Sequence, residues 1–169
     1  MKESSVKITF AGNPLTLQGN EIKVGDKAPD FVAVGAGLTS VKLSDFAGRT
    51  VIIDSYPSID TGVCAAQNRR FNAEANNLKD VVVLSISCDL PFAQSRFCAA
   101  EGLDNIKTVS DHKDLEFGQK YGFWIKELRL LARGTVVIDK SGVVKFVEYV
   151  SEVTHEPNYE AALAVVKNL

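Results

Sequence analysis

The sequence predicts a layered α/β domain, and three observations support this fold class. From residue 31 onward, short runs rich in β-branched residues alternate with segments of helical periodicity, as expected of a sheet covered by helices. The last two β-rich runs flank the turn cluster 139–142, which predicts an antiparallel strand pair. The opening residues 5–18 alternate apolar and polar side chains about a turn, which predicts an N-terminal hairpin. The chain has 169 residues and 46% hydrophobic content, so we expect a single domain over residues 1–169.

The individual elements follow in chain order from the same patterns. The hairpin consists of strands 5–10 and 15–18 about the turn 11–14. After it, the predicted elements are strand 50–55, helix 62–78, strand 81–87, helix 91–101, strand 106–109, helix 114–121, strands 135–138 and 143–150, and helix 158–169. This order predicts a thioredoxin-like mixed sheet flanked by helices, with an N-terminal β-hairpin. Because such a fold hosts many functions, function has to be argued from individual residues.

Charge and hydropathy narrow the classes of partner. The chain carries 19 Lys and Arg against 21 Asp and Glu, and neither sign forms a long block. We therefore expect no nucleic-acid partner and no membrane partner. The start of the chain, residues 1–5, is largely polar and no signal-like apolar run follows, while the longest apolar run, 161–166, is too short to span a bilayer. The expected location is the cytoplasm.

Three cysteines, Cys64, Cys88 and Cys98, are the first candidates for chemistry. They cannot all pair within one chain, and their spacing matches neither a CxxC motif nor a zinc-ligand pattern. In a reducing compartment, such thiols either fill the core or react. The local sequence has to distinguish the two.

Cys64 lies where a predicted strand passes through a loop into a helix, and sites in open α/β sheets form at such turns. If Thr61 is the N-cap, Cys64 occupies the first helical turn, where free N–H groups and the helix dipole favour a thiolate. Cys64 shares a helical face with Phe71, so we expect it to point toward the sheet. A packed, unreactive cysteine fits these facts equally well.

The other two cysteines have contrasting contexts. Cys88 has the parity of Val82, Leu84 and Ile86 in its strand, which predicts a thiol beside the core, with a raised pKa and no reactivity. Cys98 shares a helical face with Gln94, Ser95 and Glu101, which predicts an exposed thiol. An exposed thiol in an intracellular protein favours a functional role.

Two segments carry a family resemblance. PSIDTGVC, residues 57–64, resembles the P-x-x-x-T-x-x-C active-site motif of peroxiredoxins. The longer PSIDTGVCAAQNRRF, together with DLPFAQSRFCAAEGL at 89–103, is similar to the thiol peroxidase branch, an atypical two-cysteine type. GDKAPDF at 25–31, EPNYEAAL at 156–163 and the hairpin extend the resemblance over nearly the whole chain.

The resemblance implies roles for single residues. Cys64 matches the peroxidatic cysteine, and Cys98 matches the resolving cysteine. Thr61 matches the motif threonine, whose hydroxyl holds thiolate and peroxide, although capping the helix is an alternative role. Pro57 matches the proline whose ring shields the pocket. Arg133 matches the arginine that a distant strand brings to the sulfur, and Arg129 is the competing candidate.

The resemblance also implies a reaction. Cys64 attacks a hydroperoxide, organic or hydrogen peroxide, and becomes a sulfenic acid, which condenses with Cys98 to an intrachain disulfide. A thioredoxin-type dithiol then reduces the disulfide. A disulfide needs Cα atoms within about 7 Å, so we expect local unwinding around Cys64, Cys98 or both during turnover. The alternatives are a one-cysteine peroxidase or a redox sensor, neither using Cys98.

The remaining expectations concern partners and cofactors. The family resemblance implies a homodimer in which the loops around the active site form the contact surface. Residues 123–125 are candidates for lining an organic-substrate pocket, although core or dimer packing is commoner for such side chains. His112 and His155 are the only histidines and read as surface or packing residues. With no nucleotide-binding loop and no ligand-spaced carboxylates, we expect no cofactor and no metal.

Overall fold

The computed structural model describes residues 1–169 and places eleven strands and four α-helices. The strands are β1 (Glu3–Phe10), β2 (Asn13–Gln18), β3 (Val32–Val34), β4 (Ser40–Lys42), β5 (Thr50–Ser55), β6 (Val81–Ser87), β7 (Lys107–Ser110), β8 (Trp124–Ile125), β9 (Leu130–Leu131), β10 (Gly134–Ile138) and β11 (Val144–Tyr149). The helices are α1 (Gly62–Ala75), α2 (Pro91–Glu101), α3 (Glu116–Tyr121) and α4 (Tyr159–Lys167). No helix combines the length and the apolar character needed to cross a membrane.

Seven strands form the main sheet in the order β11-β10-β5-β6-β7-β3-β4. The central strands β5, β6 and β7 are parallel, whereas β10 runs antiparallel to both β5 and β11. Every residue of β5 is buried, as expected of a central strand covered on both faces. The mixed sheet and its flanking helices confirm the predicted fold class.

Alternate residues of the central strands pack into two separate clusters. On one face, Ile52 and Val83 contact apolar side chains of α1 and α4, such as Phe71 and Leu163. On the other face, the 23-residue main cluster joins alternate β5 and β6 residues to α3 and to the smaller sheet. Because this cluster spans both sheets, it supports the expectation of one domain over 1–169, which stays a prediction.

The N-terminal hairpin is present as β1 and β2, in a four-stranded sheet of order β1-β2-β8-β9. Its turn is shorter than predicted, because Ala11 and Gly12 both have positive φ, 48° and 81°, the geometry of a two-residue hairpin turn. Strand β2 therefore begins at Asn13. Residues 123–125 lie in the main core cluster, so the core interpretation of these side chains is the one that the structure supports.

Three elements, β5, β6 and α2, have the predicted bounds, and others differ at their ends. Helix α3 begins at Glu116 rather than at residue 114, because Leu115 is left-handed, with φ 54°. Helix α1 ends at Ala75 rather than at residue 78. The short strands β3, β4, β8 and β9 were not predicted, since two or three residues show no periodicity.

Candidate active site

The site begins where β5 passes through residues 56–61 into α1. Thr61 is the N-cap of α1: its backbone is extended, and its Oγ1 accepts a hydrogen bond of 3.2 Å from the Cys64 backbone N–H. This confirms the predicted cap. Pro57 is buried in the loop, and its neighbours Tyr56 and Ile59 pack against Cys64.

Cys64 is fully buried in the first turn of α1, and a guanidinium lies against its sulfur. Arg133 Nη2 donates to Cys64 Sγ at 3.3 Å. The same guanidinium donates through Nε to the Val153 carbonyl at 2.7 Å and through Nη1 to Gln67 Oε1 at 2.7 Å. A cation held beside a sulfur at a helix N-terminus favours the thiolate over the thiol.

The sheet register explains why Arg133, and not Arg129, reaches the site. Strand β10 pairs with β5 so that Gly134 lies opposite Ser55, which places Arg133 beside the loop that leaves β5. Glycine is required next to it, because a Cβ on Gly134 would lie 2.0 Å from the Glu148 carbonyl oxygen. Arg129 is exposed between β8 and β9.

Two buried polar residues behind Arg133 were missed by the sequence reasoning. The Nε2 group of Gln67 donates to the Asp54 carboxylate and to the Ser55 carbonyl, the latter at 3.1 Å. Burial raises the pKa of Asp54 to about 7, against the lowering effects of the Gln67 hydrogen bond and the Arg133 charge. An Asp directly after the apolar run 51–53 of a central strand was the available signal, since buried carboxyls require partners.

A second buried network secures the first turns of α1. Asn68 Nδ2 donates to the Cys64 carbonyl at 2.9 Å, and Asn68 Oδ1 accepts from the Ser85 hydroxyl. Ser85 Oγ also lies 2.7 Å from the Tyr56 hydroxyl. Burial raises the pKa of Tyr56, so this phenol stays protonated. The network links β5, β6 and α1 around the reactive sulfur.

Asp89 ties the active-site loop to the start of α2. Its carboxylate accepts from Ser58 Oγ at 2.8 Å, from the Ile59 backbone N–H at 2.7 Å and from Ser87 Oγ at 2.6 Å. The loop before Cys64 is therefore held by a carboxylate that lies two residues before the helix that bears Cys98.

The predicted exposed face of α2 is wrong. Cys98 is half-buried, and Gln94 on the same side of the helix is buried, while Phe92 is 64% exposed. The inward position suits Gln94 because its Nε2 donates to Ser87 Oγ at 3.1 Å and to the Val109 carbonyl at 2.8 Å. Apolar periodicity therefore misassigned the helix face.

Cys98 is a free thiol, as are the other two cysteines. Burial raises its pKa, the hydrogen bond with Thr108 opposes this shift, and the Asp104 charge adds to it. Its neighbour Phe97 packs against the cluster that contains Cys64. Helix α2 thus contacts the site through Phe97, while Cys64 and Cys98 remain on separate helices.

The environment predicted for Cys88 is confirmed. It packs against the main core cluster, and burial, together with the negative charges of Asp111 and Asp89, raises its pKa to about 12. The histidine prediction is also confirmed, since both rings are exposed and His112 Nδ1 lies 2.8 Å from Ser110 Oγ.

Comparisons with known proteins agree with this geometry. The redoxin family model matches residues 23–163. The thiol peroxidase of Bacillus subtilis is 55% identical over 163 residues, which are 96% of this chain and 98% of the relative. The thiol peroxidase of Staphylococcus aureus is 52% identical over 163 residues, 96% of this chain and 99% of the relative.

Solved structures have the same fold. A peroxiredoxin-like protein from Aquifex aeolicus superposes with a TM-score of 0.91 at 37% identity, and 99% of each chain is covered. A thiol peroxidase from Chromobacterium violaceum, 20% identical, superposes with a TM-score of 0.86 over 99% of this chain and 98% of that chain. The chain therefore belongs to the redoxin family, within its thiol peroxidase group.

Proposed function

We propose that this enzyme reduces hydroperoxides with the thiolate of Cys64 and that Cys98 resolves the oxidised cysteine. The observation that carries the proposal is the contact of 3.3 Å between Arg133 Nη2 and Cys64 Sγ in the buried first turn of α1. A thiolate is the nucleophilic form of cysteine, and a fixed guanidinium stabilises it before substrate arrives.

In the first step, the Cys64 thiolate attacks the terminal oxygen of the peroxide. The O–O bond breaks, the sulfur becomes a sulfenic acid, and the departing oxygen takes a proton and leaves as water or an alcohol. Arg133 and the free N–H groups of the helix stabilise the negative charge on the oxygens. Thr61 hydrogen-bonds the peroxide in addition to capping α1, and Pro57 shields the sulfur from water.

In the second step, the Cys98 thiol attacks the sulfenic sulfur, a disulfide forms and water leaves. The Cα atoms have to come within about 7 Å, so the ends of α1 and α2 rearrange. The contacts on these segments that such a rearrangement would change are the packing of Phe97 against the Cys64 cluster and the hydrogen bonds from Ser58 and Ile59 to Asp89. A thioredoxin-type dithiol then reduces the disulfide by exchange.

We also propose that the enzyme is a homodimer and is located in the cytoplasm. Leu90 and Phe92, 51% and 64% exposed, adjoin Asp89 and so lie next to the active-site loop. Apolar side chains exposed at this position support a homodimer that uses the loops around the site. The proposed location is a reducing compartment, the cytoplasm, because the cycle requires Cys64 and Cys98 to return to thiols.

Steady-state consumption of an organic hydroperoxide with thioredoxin, thioredoxin reductase and NADPH tests the proposal. We expect the wild type to turn over and Cys64→Ser to fall to the background rate. Cys98→Ser should still form a sulfenic acid at Cys64 in a single turnover but should lose thioredoxin-supported turnover. Full turnover of Cys98→Ser would favour a one-cysteine enzyme, and a wild type that oxidises once without turnover would favour a redox sensor.

A further inference from the structure

We propose that Asp54 is a positioning residue whose own charge is coupled, through Gln67 and Arg133, to thiolate formation at Cys64. The inference rests on the proposed function, because it concerns the nucleophile of that reaction. It assigns a role to a buried carboxyl group that makes no contact with the sulfur.

The coupling follows an unbroken chain of buried contacts. Asp54 accepts from Gln67 Nε2, Gln67 Oε1 accepts from Arg133 Nη1 at 2.7 Å, and Arg133 Nη2 donates to Cys64 Sγ at 3.3 Å. Asp54 and Gln67 are 0% exposed and Arg133 is 2% exposed. Water therefore screens these interactions little.

The Gln67 amide has to face one way for this chain to exist. Its oxygen accepts from Arg133 only if its NH2 group points to the other side, where two acceptors are needed. Asp54 and the Ser55 carbonyl, both at the end of β5, are those acceptors. The orientation of Gln67, and with it the position of the guanidinium, is set by β5.

The surroundings of Asp54 also allow its carboxyl group to change charge. Its Oδ2 is buried without a hydrogen-bond partner, as is Oγ1 of Thr135, which lies directly opposite on β10. An ionised carboxylate with an unpartnered buried oxygen is costly, so the neutral form competes with it. In agreement, burial raises the pKa of Asp54 to about 7.

The other elements packed around Asp54 supply no additional cation. Helix α1 presents Gln67, the segment before β10 presents Arg133, and β10 presents Thr135. Two tyrosines feel the Asp54 charge, Tyr56 after β5 and Tyr159 of α4, and burial raises the pKa of both, so they are neutral. Arg133 is therefore the single positive partner of Asp54, and it is shared with Cys64.

The Asp54 carboxylate and the Cys64 thiolate therefore compete for the charge of Arg133, and the competition depends on pH. Below about pH 6, Asp54 is neutral and the whole guanidinium charge acts on the sulfur. As the pH rises through about 7, Asp54 ionises, offsets part of that charge and opposes further thiolate formation. We expect the rate of Cys64 alkylation to rise with pH more gradually than it would without the Asp54 charge.

Alkylation of Cys64 by iodoacetamide between pH 5 and pH 9 in the full-length protein tests this coupling. Trypsin releases Cys64 on the peptide 50–69, separate from Cys88 on 80–96 and Cys98 on 97–107, so mass spectrometry reads each rate independently. Asp54→Asn removes the charge and keeps an oxygen for Gln67. Gln67→Met removes both hydrogen-bonding groups that link Asp54 to Arg133 and keeps the side chain at a similar length. Gln94→Met removes a buried amide from α2 that does not touch Arg133, and it is the matched control.

We expect Asp54→Asn to lower the pH midpoint of Cys64 alkylation by about one unit and to steepen the curve to that of one proton. Gln67→Met should slow alkylation at pH 7 about tenfold, because the guanidinium is no longer held at the sulfur. Gln94→Met should leave the Cys64 curve at the wild-type position.

Superposition of the Asp54→Asn curve on the wild-type curve would overturn the inference, and so would a Gln67→Met rate within twofold of wild type. If Gln67→Met does not fold, the Asp54→Asn curve decides alone, since that variant keeps the size of the side chain. Alkylation requires no peroxide. A failure of the proposed function would appear instead as a wild type that does not consume hydroperoxide.

Discussion

Cys64 and Cys88 follow neighbouring parallel strands of one sheet, yet their surroundings have opposite charge. Cys64 lies in the helix that follows β5 and receives a hydrogen bond from the Arg133 guanidinium. Cys88 directly follows β6, and burial, followed by the carboxyl groups of Asp111 and Asp89, opposes its ionisation. The more deeply buried thiol of the two is Cys64. Burial alone therefore does not decide which cysteine reacts, because the charges beside the two thiols have opposite sign.

The contrast between Cys64 and Cys88 predicts its largest effect on the labelling of Cys88. A pKa raised from about 9 to about 12 lowers the thiolate fraction at pH 7 about a thousandfold. We expect iodoacetamide to leave Cys88 unlabelled in the folded protein and to label it at an ordinary rate in urea, read from the peptide 80–96. Labelling of Cys88 at the rate of a free thiol in the folded protein would contradict the contrast.

Removing the cation at Cys64 should make the reactivity of Cys64 more similar to that of Cys88. We expect Arg133→Met to slow oxidation of Cys64 by a hydroperoxide about 10²–10³-fold, the cost typical of losing one preorganised donor. Stopped-flow measurement of a single turnover reads this step directly. Arg129→Met is the matched control, because Arg129 is exposed, and its rate should equal that of wild type.

The Asp54 carboxyl predicts a stability effect with a definite sign. Its pKa is raised in the folded state, so folding opposes an ionisation that the unfolded chain allows: the resulting loss of stability is absent below about pH 4 and complete above about pH 7. The unfolding free energy of Asp54→Asn minus that of wild type should therefore increase by on the order of 4 kcal/mol from pH 4 to pH 8. Urea unfolding at the two pH values gives this difference, and a constant value would show that the pKa of Asp54 is the same in the folded and the unfolded chain.

The smallest expected effect concerns the cap of α1. Thr61→Ala removes the acceptor of the Cys64 backbone N–H and should cost about 1 kcal/mol of unfolding free energy. Thr61→Ser keeps the hydroxyl and should stay close to wild type. If Thr61 also binds the peroxide, the KM for hydroperoxide rises in Thr61→Ala more than in Thr61→Ser. Equal KM values in both variants would leave Thr61 as a cap alone.

Sequence reasoning worked best for elements that have a long apolar run or a recognisable residue at the start of a helix. The bounds of β5, β6 and α2 followed from apolar runs and from Pro91 at the first helical position. Thr61 was a candidate cap of α1 from its residue type and position, and the structure confirms it. The family resemblance also indicated Arg133, with Arg129 as the competitor, and the register of β10 places Arg133 at the sulfur.

The failures have a common physical origin in buried polar side chains. Gln94 was assigned to solvent because it is polar, yet it lies inside, where its amide has two acceptors. Asp54 and Gln67 are 13 positions apart and meet only when α1 packs on β5. Hydrogen-bond satisfaction across elements leaves no local pattern, so apolar periodicity cannot reveal it.

The most direct test of the contrast between the cysteines is to treat the reduced wild-type protein with about one equivalent of an organic hydroperoxide, digest it unreduced with trypsin and map the three cysteine peptides by mass. We predict a rapid disulfide between peptides 50–69 and 97–107, with the thiol of Cys88 on peptide 80–96 unchanged. Oxidation of Cys88 while Cys64 remains a thiol would contradict the account.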